Sequence, residues 1–268
     1  MKVIAITGRS GSGKSTVSAY YGSLGYPVLD ADRTAREVTR PGGPCLAQLC
    51  DAFGSDILLP DGTLDYENPD TLDLPLIKQC LRELSETGKT VLPIYDFSAE
   101  KRSAEVEPID LQGGVCIVEG IHALNPRLTA LLPEGSAFKI YAGMREEYSR
   151  DGQRILPTRD VRLARRMVRD HKFRGHSLEK TFSMWPAVCE GEDKNIKVFK
   201  PEADLLLDTS FSYEVCCLAP FVTALRGELA PGTPYAAQLE SLCSRFALCM
   251  PLPEQSIPRT SMLREFIG

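Results

Sequence analysis

The sequence predicts an α/β fold in which a parallel sheet is covered by helices on both faces, extended by an Arg-rich helical insertion and a helical C-terminal tail. Three observations point there. Short, continuous apolar runs alternate with helical stretches, the pattern of strands buried on both faces. A Gly/Ser/Lys loop stands between the first apolar run and the first helical stretch. The composition, 43% hydrophobic and 25% charged over 268 residues, suffices to bury a substantial core.

Taken in order, Val3–Thr7 is a short apolar strand, Lys14 to about Leu24 is helical, and Pro27–Asp30 is a second strand. Leu74–Ser85 carries apolar residues at helical spacing until Gly88 ends it. Val91–Ile94, Val115–Val118, Phe138–Tyr141 and Asp204–Leu207 give further strands, with helical stretches between them to cover the sheet. Pro41-Gly42-Gly43-Pro44, the polar stretch from Pro60 to Pro69 and Gln112-Gly113-Gly114 read as loops, too short for interdomain linkers. One domain over 1–268 is expected, with a basic lid insertion at about 145–195 and the helical tail at about 214–268.

The formal net charge of -5 excludes a chain whose whole surface attracts nucleic acid or anionic lipid, so any basic site is local. No apolar run approaches the roughly 18 residues that span a bilayer. The N-terminus runs straight into a strand and a glycine loop, so a cytoplasmic protein without a membrane partner is expected. The cysteines number 9, and their spacings match neither a CxxC redox pair nor paired zinc knuckles. None of His122, His171 and His176 stands beside a cysteine cluster, so small buried thiols are expected rather than a structural metal.

Gly8-Arg9-Ser10-Gly11-Ser12-Gly13-Lys14-Ser15 fits G-x-x-x-x-G-K-[ST] at every fixed position. Glycines let the backbone wrap so that its N–H groups face phosphate oxygens, and the helix starting beside Lys14 adds its positive dipole end. The fold is thus expected to be of the P-loop NTPase type. Gly8, Ser10, Gly11, Ser12, Gly13, Lys14, Ser15 and Thr16 would hold ATP, Lys14 neutralising the β and γ phosphates and Ser15 ligating Mg²⁺. The Asn-Lys-x-Asp guanine reader of GTPases is missing. Carboxylates instead stand at strand ends: Asp30 and Asp32 after the second strand, Glu119 after Cys116-Ile117-Val118. At the carboxyl ends of parallel strands they would project into the ligand crevice, one accepting a proton from a substrate hydroxyl, another holding the metal's water shell. Taken singly, each could equally be a helix cap or turn carboxylate.

Two further stretches carry chemistry. In TRDVRLARRMVRDHKFRG, Arg162, Arg165, Arg166 and Arg169 fall at i, i+3, i+4 and i+7, one helical face with four guanidinium groups. That face reads as a phosphate clamp, the competing reading being a solvated face paired to carboxylates such as Asp170. Nucleic acid is a weaker third reading, because no aromatics are interleaved. In VLPIYDFSAEKR, a strand expected to be buried ends in Tyr95 and Asp96, a ring and a carboxylate side by side.

From Asp65 onward the chain resembles the uridine kinase and phosphoribulokinase-like family of P-loop kinases. The carrying segments are DYENPDTLDL, LPIYDF with the subsequent KR, VEGIHALNPRLT, TRDVRLARRMVRDHKFRGHS, EADLLLDTSFSYE and SMLREFIG. The likeness is to bacterial uridine-kinase-like proteins often attached to a TGS domain, which is absent here. The first sixty-odd residues, from GSGKSTVSAYYGSLGYPVLDADRTAREV through to Leu64-Asp65, resemble dephospho-CoA kinases instead. Both families share the P-loop kinase fold.

The resemblance implies roles for matching positions. Asp32 would be the general base and Glu119, with Gly120, the Mg²⁺-side carboxylate. Arg166 would face the acceptor, and Arg169 and Arg174 the donor phosphates. Tyr95 would pack against the acceptor base, with Glu67, Arg102 and His176 around the acceptor. Departures fall on the acceptor side: Glu100 stands where uridine kinases carry histidine, Glu67-Asn68 where an Asp-His pair is usual, Arg33-Thr34 in place of an aromatic pair, and His176 in place of arginine. Glu100 would favour cytidine, or another acceptor that donates hydrogen bonds, over uridine. The expected activity is an ATP-dependent small-molecule kinase of uridine- or cytidine-kinase type. Dephospho-CoA kinase-like activity, or a nucleotide-binding regulatory protein that phosphorylates nothing, are the alternatives. A homo-oligomer is left open.

Overall fold

The computed structural model describes residues 2–7, 14–26, 28–30, 58, 65, 67–96 and 101–268. Two compact units emerge. One comprises the described residues up to Ala142 together with Cys189–Leu207; the other comprises Gly143–Val188 and Asp208–Gly268.

The first unit holds β1 (Lys2–Thr7), α1 (Lys14–Ser23), β2 (Val28–Asp30), α2 (Leu74–Thr87), β3 (Lys89–Asp96), β4 (Lys101–Asp110), β5 (Val115–Glu119), α3 (Pro126–Thr129), β6 (Ala137–Gly143) and, later in the chain, β9 (Leu205–Asp208). Five strands form one sheet in the order β2-β5-β1-β6-β9, with β1 parallel to both β5 and β6, and β2 parallel to β5. The chain moves to one side of β1 and then, between β5 and β6, crosses to the other. In an open parallel sheet, ligands bind beyond the carboxyl ends of the strands at such a reversal. In sequence, Gly8–Gly13 follow the end of β1.

Alternation along the strands makes two apolar faces. Ile6, Ile117, Ile140 and Ala142 pack with Val17 and Tyr21 of α1 on one. Ala5, Tyr141, Ile121, Ala123, Leu124 and Ile196 form the other, where Cys116 also meets Leu84 of α2. Helix α2 starts where the Asp73 carboxylate accepts the Leu76 N–H at 3.0 Å, and it stops at Gly88 as its sequence predicts.

One strand expected in the parallel sheet lies elsewhere. Val91–Ile94 belongs to β3, which pairs antiparallel with β4 as a separate two-stranded ribbon, and Val91 is 48% exposed rather than buried. The cause is visible in β4, Lys-Arg-Ser-Ala-Glu-Val-Glu-Pro-Ile-Asp, whose charged residues and Pro108 suit an edge and not a sheet centre. Pro93 and Pro108 remove two ladder donors, and the register shifts between Pro93 and Tyr95.

The second unit contains the hairpin β7 (Tyr148–Arg150) and β8 (Gln153–Leu156), α4 (Thr158–Phe173), the start of α5 (Leu178–Asn195), α6 (Glu214–Ala224), α7 (Ala236–Phe246) and α8 (Arg264–Ile267). Arg165 and Glu214, both at 0% side-chain exposure, join α4 to α6 through two parallel contacts, Nε to Oε1 and Nη2 to Oε2, the latter at 2.6 Å. Burial pushes the Glu214 carboxyl above its usual range and the Arg165 guanidinium opposes that shift. Arg162 lies over the Trp185 ring at 5.5 Å and Arg245 of α7 holds Asp160 at the start of α4. Among the described residues, no helix is long and apolar enough to cross a membrane.

The seven cysteines among the described residues are free thiols. Burial pushes Cys116 up to about 11 from an ordinary 9.0, and Cys217 likewise, there with help from Cys216 and Glu214. A raised thiol pKa favours the folded state below the unfolded value and loses that contribution as pH climbs from about 9 toward 11.

These contacts are testable by mutation and by labelling. Arg165→Ala strands a buried carboxylate and is expected to lower unfolding free energy by about 3–5 kcal/mol in urea titrations, whereas Arg165→Met with Glu214→Leu should cost far less; equal losses would mean that shape alone matters. At pH 8 the thiolate population of Cys116 and Cys217 is roughly a hundredfold below that of an exposed cysteine. Iodoacetamide should therefore spare both in the native protein and label them in urea, as read by peptide mass spectrometry; rapid native labelling would contradict their burial.

Candidate functional site

Within the first unit the sheet's carboxyl edge holds Lys14 and Glu119, two residues that the sequence expects on the nucleotide side. Lys14 opens α1 and is buried, beside backbone N–H groups that a helix start leaves without intrahelical partners. Ser15 and Thr16 complete that first turn, Thr16 at the surface. Gly8, Ser10, Gly11, Ser12 and Gly13 lie outside the described residues, as do Asp32 and Glu100. Glu119 ends β5, is 1% exposed, and stands in register with Ile6 of β1 and Asp30 of β2. By alternation it shares a face with Ile117, the face that α1 covers. A buried cation at a helix start and a buried carboxylate thus belong to one edge and one face of the sheet. Phosphate suits the first, and a hard divalent cation or its water shell suits the second. Among the described residues no group of three or more His, Cys, Asp and Glu could hold a metal ion.

After Glu119 the chain turns tightly, the Gly120 N–H donating to the Ile6 carbonyl at 3.3 Å and the Asn125 N–H to the His122 carbonyl at 2.9 Å. Asn125 then caps α3, accepting the Arg127 N–H at 2.9 Å. His122 and Asn125 are buried polar residues beside Glu119 in sequence, to which the sequence patterns attach no role.

Among the expected acceptor residues, Tyr95 and Arg102 are brought together: they stand opposite each other in the β3–β4 ladder, next to Asp96 opposite Lys101. Glu67 is buried against α5, where a Cβ placed on Gly191 would come within 2.5 Å of the Glu67 Cβ. The Asp65 carboxylate accepts the Glu67 N–H at 3.1 Å; burial raises its pKa against the pull of that bond and of Lys194. Asn68 caps the next turn, accepting the Asp70 N–H at 3.0 Å.

The arginine face of α4 divides in two. Arg162 and Arg165 point inward, toward Trp185 and Glu214, so that part of the expected clamp is interior structure. The spacing identifies one face of a helix but not whether that face is wet. The remaining residues surround Asp170, itself buried. Arg169 donates from Nε and Nη2 to Oδ1 at 2.9 and 2.8 Å, and Arg174 Nη1 lies 3.4 Å from the same oxygen. Arg166 Nε is 3.3 Å and His176 Nδ1 3.9 Å from Oδ2. Burial holds His176 below its usual range, Lys180, Arg174 and Arg166 pushing the same way and Asp170 resisting. Sequence reasoning names Asp170 only as a partner of Arg166; its meeting with Arg169, Arg174 and His176 needed the structure.

The sequence profile of the phosphoribulokinase / uridine kinase family matches residues 60–212, more than half of the chain. The chain belongs to that family. The dephospho-CoA kinase profile matches residues 2–69. Dephospho-CoA kinase of Corynebacterium glutamicum is 56% identical over 62 residues, 23% of this chain and 31% of that protein. Its counterpart in Corynebacterium jeikeium is 38% identical over 128 residues, 41% of this chain and 65% of that protein. The chain thus spans about a third of the length of the first of these relatives. Phosphoribulokinase from Rhodobacter spheroides superposes with a TM-score of 0.48 at 15% identity, covering 78% of this chain and 72% of that one. In this member of the phosphoribulokinase / uridine kinase family the two matched regions share one sheet: β1 and β2 come from the first, β5, β6 and β9 from the second, and they interleave.

Gly191→Ala tests the Glu67 packing. Alanine ordinarily stabilises a helix interior by about 1 kcal/mol over glycine. Here the added Cβ meets Glu67, and a net loss of about 1–3 kcal/mol is expected in thermal denaturation. Glu67→Gly in the same chain should recover most of it, and a gain from Gly191→Ala alone would disprove the close contact.

Proposed function

We propose that this chain is an ATP-dependent small-molecule kinase that transfers the γ-phosphoryl group to a hydroxyl of a nucleoside, uridine or cytidine being the leading acceptors. The observation that carries this reading is the buried Lys14 at the start of α1 with the buried Glu119 on the same edge and face of the sheet, in a chain of a kinase family. Gly8–Thr16 would wrap the phosphates and Lys14 would neutralise charge that builds on the transferred group. Ser15 and Glu119 would hold Mg²⁺ or its waters; the ion, when bound, supplies charge neutralisation of the phosphates. Asp32 would accept the acceptor hydroxyl's proton. Tyr95, Arg102, Glu67, Arg166 and His176 are the candidates for acceptor contacts, and Arg169 and Arg174 for donor phosphates.

A second reading, dephospho-CoA kinase-like activity, is favoured by the 56% identity over the first β-α-β segment. Incubation with ATP, Mg²⁺ and a panel of nucleosides, dephospho-CoA and polyols, with ADP as readout, separates the two. ATP binding with only slow basal turnover across the panel would favour a nucleotide-binding regulator instead.

Lys14→Ala is expected to lower ADP formation by about 10³-fold or more with the melting temperature retained. Asp32→Asn should lower it by roughly 10²–10⁴-fold with ATP affinity unchanged. Near-normal turnover of Lys14→Ala at saturating ATP would exclude the phosphate-loop mechanism, and loss of ATP binding in Asp32→Asn would move that residue to the metal.

A further inference from the structure

We propose that the second unit carries a binding site for a small amphipathic anion, a molecule with an apolar body and one carboxylate or phosphate head, in a groove between α4, α6 and residues 251–254. The groove has a volume of about 670 Å³, within the roughly 300–1,000 Å³ of small-ligand sites. None of its lining residues is among those named above for ATP or acceptor, so the inference stands apart from the kinase reading. One wall is built by a proline. Pro220 lies inside α6 and has no N–H, so the Cys216 carbonyl one turn earlier lacks its helical donor. The Leu252 N–H takes that place at 3.0 Å, which pins residues 251–254 along α6. Pro251 and Pro253, on either side of that bond, have fixed φ and no N–H, so the wall is stiff and offers no donors at those positions. Arg264 secures its end, donating to the Glu254 carbonyl at 2.9 Å.

Apolar lining and charge together define the ligand. Val168 of α4, Phe221 and Leu225 at the end of α6, and Leu252 opposite them supply apolar surface. The ionisable lining residues are His171, Lys172, Glu228 and Glu254. Both acids already face a base: Glu228 Oε1 lies 3.6 Å from His171 Nε2, and Glu254 Oε1 lies 3.3 Å from Arg264 Nη1. Lys172 faces no side-chain carboxylate among the described residues. Its ammonium donates to the Ile267 carbonyl and lies 4.8 Å from the Phe221 ring and 5.5 Å from the Phe173 ring. An ammonium has three donors, and the carbonyl takes one. The charge left for a ligand is therefore positive, and it stands beside the apolar surface of Phe221, so one molecule reaches both. A second copy of this chain is the competing occupant, since Leu248 and Met250, 52% and 81% exposed, precede the wall in sequence. Those side chains would use the apolar lining and leave Lys172 unanswered, so the charge favours the small anion.

The test is displacement of anilinonaphthalene sulfonate, a fluorescent apolar body with one anionic head, from the full chain. Decanoate, decyl phosphate, decanol and decylamine serve as competitors below their micelle-forming concentrations. The stronger of the two anions is expected to displace the dye about tenfold better than decanol, with decylamine weakest, and it identifies the head as carboxylate or phosphate. Lys172→Met keeps the apolar stem and should weaken both anions about tenfold while decanol stays within twofold. Ala224→Trp, at an exposed lining position, fills the groove and should abolish dye binding with the circular dichroism spectrum retained. Should Lys172→Met fail to fold, Ala224→Trp and the ranking of competitors on the wild-type chain carry the test. Equal displacement by decanol and by both anions would overturn the anionic head. Dye binding untouched by Ala224→Trp would overturn the site. A dimer in sedimentation equilibrium that Ala224→Trp dissociates would assign the groove to a second copy and overturn the proposal.

Discussion

Arg165 and Glu214 meet at zero exposure, and the second unit is arranged around what that contact demands. Two ions withdrawn from water lose several kcal/mol of hydration each, which only close, two-pronged geometry offsets. That geometry specifies how α6 lies on α4. Around it the Phe266 ring lies 5.2 Å from the same guanidinium, so α8 is drawn into the packing too. Lys172 obeys the same rule at the end of α4, donating to the Ile267 carbonyl over the Phe221 ring at 4.8 Å. A helix carrying arginines on its inner face is held by specific partners as well as by the apolar packing of Val161, Leu163, Ala164, Met167 and Val168.

The first unit obeys a different constraint. Strands β1, β5 and β6 of its main sheet are apolar on both faces, so parallel pairing under helices is the arrangement that buries them. Parallel pairing brings the carboxyl ends of β1, β2, β5 and β6 to one edge, which is why Glu119 comes level with the ends of β1 and β2 although some ninety residues separate it from β2 in sequence. The interleaved order also accounts for the chain resembling two families at once. β1, α1 and β2 bracket the phosphate loop, while β5 and β6 slot between and beside those strands. Neither part closes the sheet alone.

Much of this was legible in the sequence because the signals were local. The strands that became β1, β2, β5, β6 and β9 announce themselves as short apolar runs, and α2 by its spacing and its Gly88 stop. What escaped depends on distant partners. β4 carries no apolar run, since its two-stranded ribbon leaves both faces partly wet, and β7 and β8 are three and four residues long, too short for a period to show. The arginine pattern of α4 was read correctly as one face, yet spacing carries no information about Glu214, forty-nine residues away, or about Trp185. Asp170 shows the same limit in reverse. Its neighbours in sequence are its neighbours in space, but only the left-handed turn at Gly175 brings Arg174 and His176 back onto it.

The split between legible and hidden residues tracks the proposed division between donor and acceptor chemistry. Lys14 and Glu119 sit on elements packed into the sheet, where a substitution must satisfy the packing as well as the ligand, so motif and structure coincide. Tyr95 and Arg102 belong instead to the β3–β4 ribbon, with Val91 and Val106 exposed and a register shift at Pro93. Such an edge accepts substitutions at little cost in stability. Glu67 is the exception that clarifies the rule: its contact with Gly191 ties it to α5, so its departure from the uridine-kinase pattern has to be accommodated by packing. Under the proposed function, acceptor preference can therefore change in this fold while the edge proposed to handle phosphate stays as it is, and the kinase family is better specified by the sequence than the proposed acceptor.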